Sequence, residues 1–151
     1  MKKITLLLAF AAGLAFTSCS DDDSDRTQFS ASLKGGKWQH EKSGFRVMDQ
    51  ETLEDYAHAE GCSKDYVEFL EDDVYKWVVY NGDNNCDEVV RTETYMKNGE
   101  TLTVGEGEEF QSFKIEELTE TELRTKTIYM EQEGSATVYQ IDTYKRVGGA
   151  Q

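Results

Sequence analysis

Alternation is what most constrains this chain. From Trp38 onward apolar and polar residues change places at every second position, and turn-forming residues recur about every eight to twelve positions. A period of two belongs to strands, whose successive side chains point to opposite faces. The pattern predicts strands at Trp38–Val47, Tyr66–Leu70, Val74–Tyr80, Val89–Met96, Thr101–Val104, Phe110–Leu118, Glu122–Met130 and Thr137–Arg146. They are rich in Val, Thr, Tyr and Phe, which suit a pleated, half-buried surface. Short connections join them at Glu71–Asp73, Lys97–Glu100 and Thr119–Thr121, and Asn98-Gly99 is a strong hairpin signal. The chain has no proline. A run of hairpin-linked strands is a meander, and a meander removes its two exposed edges by closing on itself. The expected fold is therefore all-β: an eight-stranded antiparallel up-and-down barrel.

One connection is long, Asp49 to Lys64. Thr52–Asp55 (TLED) reads as a capping box, and Gly61 is placed to end a helix. A short helix is expected here, with Leu53 and Tyr56 on one face, folded over one end of the barrel.

Strand parity fixes which loops share an end. If the first strand starts at the bottom, the three short turns all fall at the bottom. Asp49–Lys64 and Asn81–Glu88 then fall together at the top, which places Cys62 and Cys86 at one end on connections flanking one pair of strands. The same parity returns the last strand to the bottom, so Arg146 should end near Trp38.

The N-terminus carries an address. Lys2 and Lys3 precede an apolar run from Ile4 to Phe16, followed by Thr17, Ser18 and Cys19. The run is shorter than the roughly 18 residues that a bilayer span requires. It has the order of a secretory signal peptide, and a cysteine directly after small residues is the pattern of a bacterial lipoprotein box. Residues 1–18 are thus expected to be removed and Cys19 to be lipidated, with diacylglycerol and palmitate chains anchoring the protein to a membrane. Residues 19–31 form an acidic tether, 32–147 the barrel and 148–151 a tail. The run Ser20–Asp25 (SDDDSD) is a solvated spacer, and it also resembles the export signal of Bacteroidetes-type surface lipoproteins. That implies an outer-membrane protein facing the cell exterior. Loss of Lys2 and Lys3 would move the formal charge of −14 to −16, which disfavours nucleic acid and anionic membrane surfaces as partners. With Cys19 acylated, Cys62 and Cys86 remain as an even pair in an oxidising compartment, most simply a disulfide. A metal site using His58, His40 and Cys62 is the rival use of these residues.

Gly36-Lys37-Trp38 matches the G-x-W that opens the first strand of lipocalins. A cysteine ahead of Asp65–Asp72 (DYVEFLED), a second cysteine, Phe113–Leu123 (FKIEELTETEL) and a closing Thr143–Arg146 (TYKR) follow in order. In this set, over Leu33 to Val147, the chain resembles the lipocalin-like lipoproteins of Bacteroidetes-type bacteria. The resemblance implies a lipocalin-like barrel, Trp38 packed on Arg146 at its closed end, and carriage of a small ligand.

Alternation offers Phe69, Tyr75, Trp77, Val79, Phe113, Ile115, Leu123, Tyr139 and Ile141 as inward-facing. The candidate ligand-binding residues are Tyr56, Phe69, Trp77, Phe113, Tyr139 and Ile141. A barrel of eight strands is just wide enough to be filled by side chains or to hold one small ligand, and alternation fits both. Acids crowd the top loops, with Lys64 their one cation, but the bottom turns are acidic too, so solvation explains them first. Asp83–Glu88 resembles half a calcium loop without its turn glycine. No nucleophile elbow, phosphate loop or zinc-helix motif occurs. The expected protein is not an enzyme and needs no cofactor and no metal. It binds a small hydrophobic or amphipathic ligand, or, if the barrel is filled, contacts a partner protein through its top loops.

Overall fold

The computed structural model describes residues 31–107, 109–131 and 134–148. The leader, Cys19 and the acidic tether up to Ser30 lie outside the described residues. Nine strands follow one another: β1 (Lys37–Val47), β2 (Gln50–Asp55), β3 (Tyr66–Phe69), β4 (Val74–Asn81), β5 (Asp87–Asn98), β6 (Thr101–Val104), β7 (Gln111–Leu118), β8 (Glu122–Met130) and β9 (Val138–Val147). All are antiparallel neighbours in a single sheet, and β9 pairs with β1 along its whole length. That ladder closes the meander, and the expected up-and-down barrel of eight strands is present, made of β1 and β3 to β9.

The ninth strand corrects one expectation. Gln50–Asp55 is a strand, where the sequence suggested a short helix at Thr52–Asp55. The reason lies in β1. Its lower residues Lys37–Gln39 pair with β3, but its upper residues Lys42–Val47 diverge from β3 and expose an edge. A one-turn helix pays the nucleation cost for very few bonds, whereas β2 satisfies a whole row of unpaired backbone groups. β2 lies so close that a Cβ on Gly44 would sit 2.0 Å from the Thr52 carbonyl oxygen. Only glycine fits there.

The hairpin between β5 and β6 shifts by one residue from the sequence signal. Asn98 pairs with Thr101, so Gly99 and Glu100 make the turn, with Gly99 at φ 58° in its first position.

The lower half of the barrel is packed solid. Trp38, Val67, Phe69, Tyr95, Leu102, Val104, Ile115, Leu118 and Leu123 are buried together, and Ala31 and Leu33 close the bottom beneath them. Trp38 has no exposed surface and its indole N–H donates to the Leu33 carbonyl at 2.8 Å. The Arg146 guanidinium lies 4.4 Å over its ring, and Arg146 also donates to the Ser32 carbonyl. The expected base pair is therefore present. It also explains the glycine of the G-x-W triplet: a Cβ on Gly36 would stand 3.0 Å from Arg146 Cγ.

Candidate functional site

Registers define the inner face of the upper half. Val67 pairs with Trp77 and Phe69 with Tyr75, so β4 turns Tyr75, Trp77 and Val79 inward; their β5 partners are Glu93, Arg91 and Val89. On β7, Phe113 pairs with buried Leu102. Leu123 pairs with Tyr144 and Thr125 with Asp142, so β9 turns its even positions Gln140, Asp142, Tyr144 and Arg146 inward. On β1 a bulge at Glu41, marked by the register shift between His40 and Lys42, keeps Trp38, His40, Ser43 and Phe45 on that same face.

These inward residues are not all enclosed. Phe45 is 46% exposed, Val89 51% and Tyr129 58%, and Trp77 and Phe113 are partly exposed. Phe45 and Tyr129 pack together with ring centroids 4.9 Å apart. Large apolar side chains that face a barrel axis and still meet solvent line an open mouth. The interior is solid below, and above it these side chains meet solvent.

Between mouth and core lies a polar floor. The Asp142 carboxylate, itself buried, accepts from Ser43 Oγ at 2.6 Å, His40 Nε2 at 3.1 Å and Gln140 Nε2 at 3.0 Å. The His40 ring is sandwiched between Tyr56 at 3.8 Å and Tyr144 at 4.6 Å. Burial, then the charge of Asp142, pushes the Tyr144 hydroxyl well above its ordinary value. Burial, then the charges of Glu93 and Asp142, raises Tyr75. Burial, with Asp65 beside it, raises Tyr56. All three phenols stay neutral near pH 7 and present hydrogen bonds without charge. Ser43 and His40 both donate to the same Asp142 carboxylate oxygen, so Ser43 does not face an imidazole base. The arrangement lacks the nucleophile-to-base bond of a catalytic triad.

One side of the mouth is sewn shut. Where β1 leaves β3, the segment from Tyr56 to Asp65 crosses the gap. The Asp65 carbonyl accepts the His40 N–H at 3.1 Å, and its carboxylate accepts the Tyr80 N–H of β4 at 2.9 Å. His58 donates from Nε2 to the His40 carbonyl at 2.8 Å and accepts the Asp65 N–H at Nδ1, 3.0 Å away. The 3.7 Å approach of Asp65 Oδ2 to Nδ1 is therefore no ion pair, because that nitrogen is an acceptor. Cys62 is bonded to Cys86, tying the segment to the β4–β5 turn as expected. Cys62 is thereby taken from any metal site, and both nitrogens of His58 are occupied.

The candidate ligand-binding residues divide. Trp77 and Phe113 pack on top of the core cluster and stay partly exposed. Tyr56 stacks beside the floor. Phe69 is 2% exposed within the filled half, out of reach of a ligand. Tyr139 and Ile141 face away from the interior, which corrects their inward assignment: Ile141 pairs with Lys126, and Lys126 Nζ lies 4.7 Å over the Tyr139 ring. Apolar character misled, because β9 turns its polar residues inward. The phase was available from Arg146, since a strand that sets Arg146 against Trp38 turns Ile141, five positions away, to the other face. His40, Ser43, Gln140 and Asp142 went unnoticed as a site for the same reason, and Phe45 because the bulge at Glu41 reverses the phase of β1.

On the outer face a charge cluster holds β2 down. Arg46 makes a bidentate contact to Glu116 at 2.6 and 2.8 Å and a second bond to Glu51 at 2.7 Å. Arg124 bonds Glu51 and Glu116, and Lys126 approaches Glu116 at 3.2 Å. Burial alone would raise the Glu116 carboxyl, but the hydrogen bonds from Arg46, Arg124 and Lys126 prevail and hold it at about 2.

No family model matches the chain, and no curated protein matches it. Solved structures do. An uncharacterized protein from Bacteroides eggerthii is 13% identical, with a TM-score of 0.49 over 77% of this chain and 100% of its own. A lipocalin-like protein from Bacteroides uniformis is 17% identical, with a TM-score of 0.46 over 72% of this chain and 97% of its own. Bovine odorant binding protein, as a deswapped triple mutant, is 18% identical, with a TM-score of 0.42 over 80% of this chain and 78% of its own.

Proposed function

We propose that this protein is a lipid-anchored binding protein that takes a small amphipathic molecule into the open upper half of its barrel. One observation carries the reading: Phe45, Trp77, Val89, Phe113 and Tyr129 face the barrel axis and remain in contact with solvent above a solid core. Apolar walls with a few convergent polar groups are the usual make-up of a small-molecule site. Here the walls are aromatic and the floor supplies His40, Gln140 and three neutral tyrosines. Binding without chemistry is preferred because Ser43 and His40 are both spent on Asp142. The anchor at Cys19, and an outward-facing position in the outer membrane, belong to the same proposal and rest on the lipoprotein-box pattern and the acidic run after it.

A naphthylamine dye whose emission rises in apolar surroundings tests the site. Saturable uptake is expected, weakened about tenfold in Trp77→Ala and in Tyr129→Ser, the loss of one aromatic contact. Absence of saturable uptake, or uptake indifferent to both substitutions, would overturn it.

A further inference from the structure

The upper part of β5 is a bare sheet edge. β5 pairs with β4 from Asp87 to Thr94, but its ladder to β6 begins only at Tyr95. The Gly105 N–H donates to the Thr94 carbonyl at 2.9 Å, which extends the contact by one residue. Successive residues of a strand turn their backbone groups to opposite edges. Thr94 therefore sets the parity. Glu88, Val90 and Thr92 turn their N–H and carbonyl groups away from β4, to a side where no strand pairs among the described residues. Every residue from Asp87 to Thr92 is exposed, on both faces of the strand.

Such an edge is a template for another strand. Proline or a bulge would blunt it, and β5 has neither here: the chain has no proline, and the register with β4 runs unbroken. Val89 and Val90 are 51% and 47% exposed, one on each face. An added strand would gain apolar neighbours as well as backbone bonds.

At the foot of this edge, where β6 departs, lies a groove of about 460 Å³. Thr92, Thr94, Glu93, Glu106 and Glu109 line it. Glu106 accepts from Thr94 Oγ1 at 3.1 Å, and Glu93 stands 3.9 Å from Arg91 Nε. Arg91 is the one base between Asp87 and Thr94, against Asp87, Glu88 and Glu93. Charge selects the occupant. A second copy would bring the same carboxylates against each other, and the chain's own acidic run at Asp21–Asp25 has the wrong sign. The complement is basic.

We propose that the upper edge of β5 takes an extended, basic segment of a partner protein as an added strand. Its backbone pairs with Glu88, Val90 and Thr92, and its apolar side chains lie beside Val89 and Val90. A lysine or arginine about three residues along enters the groove among Glu93, Glu106 and Glu109. This interaction does not depend on uptake of a small molecule by the barrel.

A fluorescein-labelled peptide of about eight residues, valine alternating with threonine and ending in two lysines, tests it against the full chain by anisotropy. Saturable binding is expected. Glutamate in place of both lysines should weaken it about tenfold, the loss of one charge-assisted contact. Two further lysine peptides are N-methylated on alternate amides, each in the opposite phase; one should lose binding and the other keep it, because an added strand turns only half of its amides to β5. Glu106→Gln/Glu109→Gln, at exposed positions, should weaken the lysine peptide about tenfold. Val90→Pro removes an outward N–H that makes no bond to β4 and should abolish binding. Hydrogen exchange at the Val90 and Thr92 amides of the unaltered chain, slowed by the peptide, reads the same contact without a substitution in the strand. No saturable binding, equal binding of the lysine and glutamate peptides, or amides that exchange as before would overturn the proposal. A dimer of the free chain in sedimentation, with those amides already slow, would overturn it too, by giving the edge to a second copy. Dye uptake is read separately: it should be unchanged in Glu106→Gln/Glu109→Gln, and its absence in the wild type would overturn the small-molecule reading alone.

Discussion

The amide N–H of Asp65 donates to Nδ1 of His58 at 3.0 Å, which fixes His58 with its proton on Nε2, aimed at the carbonyl of His40. Asp65 in turn holds β1 and β4 together where no ladder does. Asp65→Ala leaves the Tyr80 N–H without its partner in a buried place and should cost about 2–4 kcal/mol. Asp65→Asn keeps an accepting oxygen and should cost less than half as much. Urea unfolding of the two variants checks the order; equal losses would mean that the Tyr80 bond carries no weight.

Gly36→Ala drives a methyl group against Arg146 Cγ. The arginine must then lift from Trp38, a loss of about 1–2 kcal/mol. Emission from Trp38 should shift to longer wavelength in Gly36→Ala and in Arg146→Ala alike. A blue-shifted or unaltered Trp38 in Arg146→Ala would contradict the stacking.

Cys86→Ser should lower stability by about 2–5 kcal/mol. Hydrogen exchange should then rise first in Tyr56–Asp65, while the packed lower half stays protected. Uniform loss of protection would show that the seam and the core unfold as one unit.

Glu116 gives a sign to the acid limb of stability. Its folded value of about 2 lies below the ordinary 4.5, so the cluster with Arg46 and Arg124 contributes fully above about pH 4.5. The contribution falls away as pH drops through the window from about 4.5 to about 2. Glu116→Gln should be less stable than the wild type at pH 7, and the difference should close across that window. A difference that persists at pH 2 would exclude the linkage.

Cys19→Ala should abolish incorporation of labelled palmitate in the native host and release the protein from the membrane fraction. Asp21, Asp22 and Asp23 replaced together by Ala should leave acylation intact and protect the protein from protease added to whole cells.

The barrel was legible because alternation and turn chemistry agree along most of the chain, and strand parity placed Cys62 with Cys86 and Trp38 with Arg146 without any contact being known. The strand at Gln50–Asp55 was not legible. Its four-residue capping signal is local, whereas the demand it answers, the bare upper edge of β1, exists only once β1 and β3 have parted. The binding floor was hidden by a rule of thumb. Apolar residues were assigned to the interior, and β9 places Gln140 and Asp142 there while burying Ile141 on its outer side. A core that is polar at mid-height defeats that rule, and phase counted from Arg146 would have been the better guide.

The plug at the base has a mechanical meaning. Ala31 and Leu33 are seated in the core, and Leu33 is latched to Trp38 at the head of β1. A pull on the chain ahead of them first has to extract this stopper. It then loads β1 along its own axis, against the bonds to β9 that run across it from Lys37 to Val47. Such bonds resist sliding together rather than parting one at a time. A force applied through the chain ahead of Ala31 would meet the domain's stiffest direction, and the seam at the opposite end would stay unloaded.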